Sequence, residues 1–260
     1  MESDGDGDEL NNEEDEPESD NIACHVFTQK LLRRLERNDP SISGLTVTSI
    51  GWIRGAGTVF AQCQFLKRLH ILLDPKNHWF AELCTGIACN QTIEDLLLHF
   101  GHGSRHDGCI DAFGLIAPFL RNNFNLRSFE VICNFGDPST NLESLTSIFK
   151  GRKSGLLKKI YISWSDASDE EAAALVESLG GQHNLRHLCF KTTTVDRMVC
   201  KSLGSLMENP ECKVHTLHLG GEISADCFAI LCFALTMNST LQHLDLRGIY
   251  GIHESNHSAL

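Results

Sequence analysis

One six-residue pattern (apolar, any, any, apolar, any, apolar) recurs eight times along the 260-residue chain. The copies begin at Ile42, Leu66, Ile93, Leu126, Leu157, Leu185, Val214 and Leu241, at intervals of 24 to 33 residues. Within each copy, the alternation of apolar residues is typical of a short strand with one buried face. One such unit cannot bury its own apolar side, so the repeat predicts a stack of units in which each covers the next.

Between the copies, apolar residues recur three and four positions apart, which is the spacing of amphipathic helices. The predicted helices cover 79–89, 112–121, 141–150, 169–179, 195–207 and 225–237. Ser168 and Glu171 form a capping-box pattern at the start of one of them. Polar turns that begin at Asn90, Asn123 and Asn238 lead into the strands that follow. The sequence therefore predicts an alternation of strands and helices, which is the α/β class.

The repeated unit resembles the leucine-rich repeat, specifically its ribonuclease-inhibitor-like subtype. The resemblance rests on stretches such as NLRHLCF at 184–190 and NSTLQHLDL at 238–246, and it covers roughly residues 40–260. The family also places Asn or Cys three residues after the last strand leucine; this chain has Asn134 there in one copy but Gly101 in another. The resemblance implies a right-handed solenoid shaped like a horseshoe, with parallel strands on the concave face and helices on the convex face.

The two ends of the chain differ from the repeats. Residues 1–20 contain eleven Asp and Glu and no Lys or Arg, so most of the formal net charge of −12 belongs to them. We expect a disordered acidic tail over 1–21, because its charges repel one another and it has little apolar surface to bury. Residues 22–37 carry an apolar stripe that predicts a helix capping the first repeat. The leucine-rich-repeat domain is thus expected over 22–260, with about eight repeats and an incomplete last one.

Composition excludes several classes of function. From residue 21 onward, acidic and basic residues nearly balance, so both the basic footprint of a nucleic-acid-binding protein and a polybasic membrane patch are missing. No stretch approaches the roughly 18 apolar residues of a membrane span. The eleven scattered cysteines fit reduced thiols better than a disulfide framework, which predicts a cytoplasmic or nuclear location. We therefore expect the partner to be another protein, and neither nucleic acid nor a membrane.

Two histidine-rich segments suggest metal binding. Residues 253–257 spell His-Glu-Ser-Asn-His, the HExxH of zinc peptidases, but the surrounding sequence does not indicate the helix that this chemistry needs. His99, His102, His106 and Cys109 offer zinc ligands, yet their spacing matches no zinc finger. A polar loop is the favoured interpretation of both segments. Phosphate-binding, nucleophile-elbow and dinucleotide motifs do not occur, so we expect no metal site, no cofactor and no catalytic residue.

Alternate strand positions point away from the core, which makes them the candidate binding surface. In the fifth to eighth repeats, the candidate binding residues are Lys159, Tyr161, Trp164, His187, Lys191, His218, His243, Asp245 and Arg247. A second candidate surface is the rim of strand-to-helix loops, where segment 101–110 makes the longest loop. The leading hypothesis is therefore a non-catalytic protein-binding scaffold or adaptor that uses the concave face or this rim.

The alternative hypothesis is GTPase activation. One branch of ribonuclease-inhibitor-like repeat proteins acts on a small GTPase and supplies an arginine from a strand-to-helix loop, so the resemblance implies such a residue. Arg54 and Arg105 lie in loops of this kind, but no motif around either one matches that branch. One measurement separates the two hypotheses: acceleration of GTP hydrolysis that is lost in Arg54→Ala or Arg105→Ala.

Overall fold

The structure, a computed structural model, describes residues 24–25, 29–47, 55–73, 80–100, 112–133, 142–152, 155–165 and 167–251. These residues contain nine strands: β1 (Cys24–His25), β2 (Gly44–Val47), β3 (Arg68–Leu73), β4 (Asp95–Phe100), β5 (Ser128–Cys133), β6 (Lys159–Trp164), β7 (His187–Val195), β8 (Thr216–Ile223) and β9 (His243–Tyr250). They also contain eight α-helices: α1 (Gln29–Glu36), α2 (Ala56–Gln62), α3 (Phe80–Cys89), α4 (Ala112–Asn122), α5 (Leu142–Gly151), α6 (Asp169–Ser178), α7 (Arg197–Glu208) and α8 (Ala225–Met237). Strands and helices alternate from β1 to β9, and a short 3-10 helix (Leu179–Gly181) follows α6.

The nine strands form one parallel sheet whose spatial order equals the order along the chain. The register aligns the repeated pattern: Leu188 of β7 lies opposite Ile160 of β6 and Leu217 of β8. Adjacent parallel strands need a crossover connection, and one helix supplies it in each repeat. The predicted fold class, an α/β solenoid of leucine-rich-repeat-like units with parallel strands, is confirmed.

The hydrophobic core lies between the sheet and the helices. The strand residues at the middle of the repeated pattern are almost fully buried: Leu45, Leu69, Leu96, Phe129, Ile160, Leu188 and Leu217. From the helix side, the ring of Phe149 meets that of Phe129 edge-on, with 6.1 Å between their centroids. The buried residues form one continuous cluster that extends from α1 to α8. Neighbouring repeats therefore share a single core.

Each helix contacts the helices of the adjacent repeats. Helix α6 begins with the predicted capping box: the Ser168 side chain accepts from the backbone N–H of Glu171, and the Glu171 carboxylate accepts from the N–H of Ser168. Helices α7 and α8 begin with similar side-chain caps, from Asp196 and Ser224. Within the described ranges, no helix combines the length and the apolar composition that a membrane span requires.

The N-terminal end of the solenoid differs from the prediction. Helix α1 begins only at Gln29, and Cys24–His25 forms β1, which pairs with Thr46 and Val47 of β2. The prediction of one continuous helix over 22–37 is therefore wrong at β1. A strand at this position has a physical advantage, because it bonds the otherwise open edge of β2.

Helix α2 was not predicted, because its sequence AGTVFAQ contains few large apolar side chains. It packs closely on α3 where Gly57 meets Gly86: a Cβ atom added to Gly86 would lie 1.9 Å from the carbonyl oxygen of Gly57. The absence of side chains at both positions lets the two helix backbones approach each other. A short helix of small residues therefore still covers its repeat.

Buried polar side chains link the turns of successive repeats. Asn90 Nδ2 donates to the carbonyl oxygens of Phe60 (2.7 Å) and Cys63 (2.9 Å) in the preceding repeat. Asn90 Oδ1 accepts from the backbone N–H groups of Thr92 and Ile93. Later turns contain side chains that donate to the preceding repeat in the same way: Asn123, Arg152, Gln182 and Asn238. The polar turns therefore satisfy backbone groups that would otherwise be buried without a partner.

Candidate protein-binding surface

The strand side chains that alternate with the core residues lie on the side of the sheet opposite the helices. We call this surface the open sheet face. On β3 to β9 it contains His70, Leu72, Leu97, His99, Glu130, Ile132, Lys159, Tyr161, Ser163, His187, Cys189, Lys191, His218, His243, Asp245 and Arg247. Most of these side chains are partly or fully exposed, while their neighbours along each interior strand are buried. One regular sheet thus presents a broad, rigid surface.

Eight of the nine residues predicted to bind a partner lie on the open sheet face; the exception is Trp164. Trp164 is only 6% exposed, and its ring centroid lies 5.8 Å from that of Phe113 in the core. It follows Tyr161 by three positions, and an odd offset along a strand reverses the face to which a side chain points. The inclusion of Trp164 in the binding surface is therefore wrong.

Tyr161 lies near the centre of the open sheet face, between charged groups. Lys191 Nζ of β7 lies 5.4 Å from the centroid of its ring, which is a cation–π arrangement. On the other side, Lys159 Nζ pairs with Glu130 Oε1 of β5 at 2.7 Å. The contact with Lys191 helps to hold the aromatic ring in place before any partner arrives, which lowers the conformational entropy lost on binding.

A second polar cluster surrounds Asp245 on β9. Its carboxylate accepts from the side chain of Arg247, with 2.8 Å between Arg247 Nη2 and Asp245 Oδ2. His218 Nδ1 of β8 lies 3.1 Å from the same oxygen. Hydrogen bonds from the Arg247 side chain and backbone hold the pKa of Asp245 well below its usual range. The Arg247 side chain is nevertheless 89% exposed, so its guanidinium group remains accessible to a partner.

The structure adds an apolar band that the sequence analysis missed. It consists of Leu72, Leu97, Ile132 and Tyr161, one residue from each of the adjacent strands β3 to β6. The register places each of them diagonal to the next, with His99 and Glu130 between them. At about 4.8 Å between strands, the band extends about 14 Å across the sheet. Leu72 is 37% exposed and the other three are half-buried. The signal in the sequence is the loss of alternation, since runs such as ILL at 71–73 place apolar residues on both faces of a strand.

Burial changes the chemistry of two groups on the open sheet face. Desolvation lowers the pKa of His70, although the carboxylates of Glu130 and Asp95 oppose that effect. Burial raises the pKa of the Cys189 thiol to about 11, so this sulfur is protonated at neutral pH and is a poor nucleophile. Neither group has the arrangement of a catalytic centre.

Several predicted features lie outside the described residues: the acidic tail 1–21, loop 101–110, Arg54 and the HExxH stretch 253–257. His99 is described and lies on β4, whereas the other histidines and the cysteine of its proposed cluster are not. Among the residues that the structure describes, no group of three or more His, Cys, Asp or Glu side chains has the arrangement of a metal site. The surface that remains for function is the open sheet face.

No protein-family model matches the chain, and no curated protein matches it. Among solved structures, the chain is similar to actin-binding site 2 of leiomodin-1, with a TM-score of 0.44 and 16% sequence identity over 61% of this chain and 90% of that one. It is also similar to the C-terminal domain of tropomodulin from Caenorhabditis elegans, with a TM-score of 0.40 and 12% identity over 58% of this chain and 90% of that one. Both TM-scores are below 0.5, so neither likeness assigns a partner to this chain.

Proposed function

We propose that the chain is a non-catalytic protein-binding scaffold of the ribonuclease-inhibitor-like leucine-rich-repeat subtype, which binds another protein through its open sheet face. The observation that carries the proposal is the apolar band on a rigid sheet. Apolar side chains at positions that a solvated strand face would fill with polar residues are typical of a binding surface. The proposed location is the cytoplasm or nucleus, supported by the many cysteines buried as free thiols.

The chemistry of the open sheet face divides into two parts. The band formed by Leu72, Leu97, Ile132 and Tyr161 supplies contact area that a partner desolvates. Next to it, Lys191 supplies positive charge, which orients an incoming partner, whereas the charge of Lys159 is paired with Glu130. A partner segment that presents apolar side chains followed by carboxylates matches this order.

The first test compares variants of the full chain in affinity capture followed by mass spectrometry. Leu97→Ser and Ile132→Ser remove apolar surface from the band, and we expect each to reduce recovery of the captured partner about tenfold or more. The matched control is Phe233→Ser, which removes an apolar side chain that is 70% exposed from helix α8, on the other side of the solenoid. Recovery that falls with Phe233→Ser and not with the band variants would contradict the proposal.

The second test concerns the predicted polar contacts. We expect Tyr161→Ala and Arg247→Ala to reduce partner binding while the thermal midpoint stays nearly constant, because both side chains project from the sheet. Normal binding by both variants, together with loss of binding on deletion of 101–110, would place the site on the loop rim instead.

The described residues give no support to GTPase activation. Arg54 and Arg105 both lie outside the described residues, and no feature of the described surface favours that function.

A further inference from the structure

A basic cluster lies along one edge of the sheet, apart from the apolar band. All nine strands are parallel, so their N-terminal ends share this edge. Lys158, Arg186 and Lys213 lead into β6, β7 and β8 at this edge, with His187 and His215 beside them. We call these five residues the basic rim. They carry three permanent positive charges within three neighbouring strands.

The positive charges of the basic rim lack carboxylate partners in the described part of the chain. Arg186 Nη1 donates to the backbone carbonyl of Lys213 at 3.2 Å, and no ion pair to an acidic residue forms with Lys158, Arg186 or Lys213 there. Earlier on the same edge, by contrast, Lys67 and Arg127 share Glu94 at 2.9 and 3.1 Å. The two cations near β3 to β5 therefore share one carboxylate, whereas Lys158, Arg186 and Lys213 pair with none in the described residues.

The pKa of His187 responds to the positive charges around it. Desolvation lowers its pKa, and the nearby side chains of Lys159, His215, Arg186 and His243 lower it further. In this part of the structure, the Glu130 carboxylate pairs with Lys159 and the Glu211 carboxylate pairs with His183. Like charges gathered at one edge create a positive potential that an anionic ligand relieves.

The chain itself contains a ligand of matching charge. Residues 1–20 hold eleven Asp and Glu and no Lys or Arg. The chain enters β1 at Cys24, and because the strands are parallel, this entry lies on the same edge of the sheet as the basic rim. The charge and the point of attachment both favour an intramolecular contact.

The distance also permits the contact. From β1 to β7 there are six strand spacings, or about 29 Å. Twenty extended residues reach at most ~66 Å, so fewer than half of them bridge the distance and the rest remain to cover the rim. We propose that the acidic segment 1–20 of this chain docks on the basic rim of the same molecule.

Carbodiimide cross-linking of the dilute full chain, followed by peptide mapping, tests the proposal. We expect bonds between carboxylates of 1–20 and the amines of Lys158 or Lys213, in monomeric product, with yields that fall at high salt. Arg186→Glu preserves both amines, and it should lower these yields about fivefold because it replaces an attraction with a repulsion. Circular dichroism of the variant confirms that it folds.

Arg33→Glu is the matched control, because it makes the same charge change at an exposed position on α1. It should leave the rim yields unchanged. Bonds only to Lys30 of α1, bonds only between two copies of the chain, or yields insensitive to Arg186→Glu would each overturn the proposal.

A second measurement does not depend on cross-linking geometry. In the docked state, carboxylates near His187 offset its cationic neighbours. Replacing Glu13, Glu14, Asp15 and Glu16 with Gln or Asn in the full chain should therefore lower the pKa of the His187 imidazole, as followed by NMR titration. An unchanged His187 pKa would overturn the proposal, while the proposed partner binding at the apolar band would be unaffected by either result.

Discussion

Interior and outermost repeats of the solenoid carry the same sequence pattern but differ in burial. Leu188 and Leu217 occupy the middle of the pattern on β7 and β8 and are at most 1% exposed. Leu244 occupies the identical place on β9, directly opposite Leu217, and is 41% exposed. The residue and its alternation are the same, so the difference comes from the number of neighbouring repeats. In a solenoid, the burial of a strand residue therefore depends on the neighbouring repeat that covers it.

Helix α8 shows the same effect on the other layer. Its sequence ADCFAILCFALTM is apolar nearly all round, which is typical of a helix covered on several sides. In the described structure, Leu231 packs against the core, whereas Phe233 and Met237 are 70% and 68% exposed. The equivalent helix α7 buries Val199, Cys200 and Leu203 on its core side, and its most exposed large apolar residue, Met198, is 44% exposed. The outermost repeat thus exposes apolar surface that interior repeats bury.

Hydrogen exchange should show the largest consequence of this difference. We expect amides of β9 to exchange through local opening and those of β6 and β7 only through near-global unfolding, a difference on the order of a thousandfold in protection. The reason is that opening β9 exposes little additional apolar surface. Equal protection of β9 and β7 by mass spectrometry or NMR would contradict the comparison.

A matched pair of leucine substitutions should show the next largest effect. Leu217→Ala removes a fully buried side chain and should cost about 3 kcal/mol of the free energy of unfolding, because it leaves a cavity between two repeats. Leu244→Ala makes the identical change at the exposed outer position and should cost about 1 kcal/mol or less. Urea unfolding measures both. A larger loss at Leu244 would show that the outer repeat is covered in solution.

The repeated pattern predicted the fold well, because its information is local. Alternation at the eight copies fixed the positions of β2 to β9, and the helical spacing located six of the eight helices in the described residues within about two positions. The pattern failed where the stabilising contact is tertiary. Strand β1 depends on pairing with β2, and α2 depends on the close approach of Gly57 and Gly86. Neither contact has a periodic signature in sequence.

The candidate site was predicted less completely than the fold. Strict alternation along the strands correctly predicts that Tyr161 and Lys191 lie on the open sheet face. Trp164 was added because it is close to Tyr161 in sequence, but its odd offset from Tyr161 places it in the core. The predicted binding residues are polar and aromatic residues of β6 to β9. Leu97 and Ile132 are not among them, because apolar residues in a strand are ordinarily assigned to the core. Only the three-dimensional arrangement separates an apolar residue on the open sheet face from one in the core.

A pair of asparagine substitutions sharpens the comparison at the turns. Asn90 is 1% exposed and bonds to backbone groups of two repeats, so Asn90→Ala should cost about 2 kcal/mol by leaving buried partners unsatisfied. Asn238 makes the same kind of bonds, to the carbonyl oxygen of Met207 and the N–H of Leu241, but in a half-buried outer turn. Water can replace these bonds, so Asn238→Ala should cost about 1 kcal/mol. Thermal unfolding of the two variants measures the difference, and equal costs would mean that the outer turn excludes water.

The smallest expected effect concerns pH and an interior strand. Burial lowers the pKa of His70 on β3 below its ordinary value of 6.5, with Glu130 and Asp95 raising it and Arg68 and Lys159 lowering it to a lesser extent than burial. The unfolded chain therefore binds a proton more readily than the folded one. The contribution of His70 to the free energy of unfolding is therefore complete above about pH 6.5 and is lost as the pH falls toward the lowered pKa.

His70→Gln should remove this pH dependence of the free energy of unfolding between pH 7.5 and 5.5. The change should be below about 1 kcal/mol, because solvent partly screens the half-buried imidazole. The control is Ser163→Ala, which changes a residue of the same open sheet face that has no ionisable side chain. It should leave the pH dependence of the free energy of unfolding intact. Urea titrations at several pH values supply the measurement. An unchanged slope in His70→Gln would mean that neighbouring repeats do not desolvate this histidine, although they bury the leucines beside it.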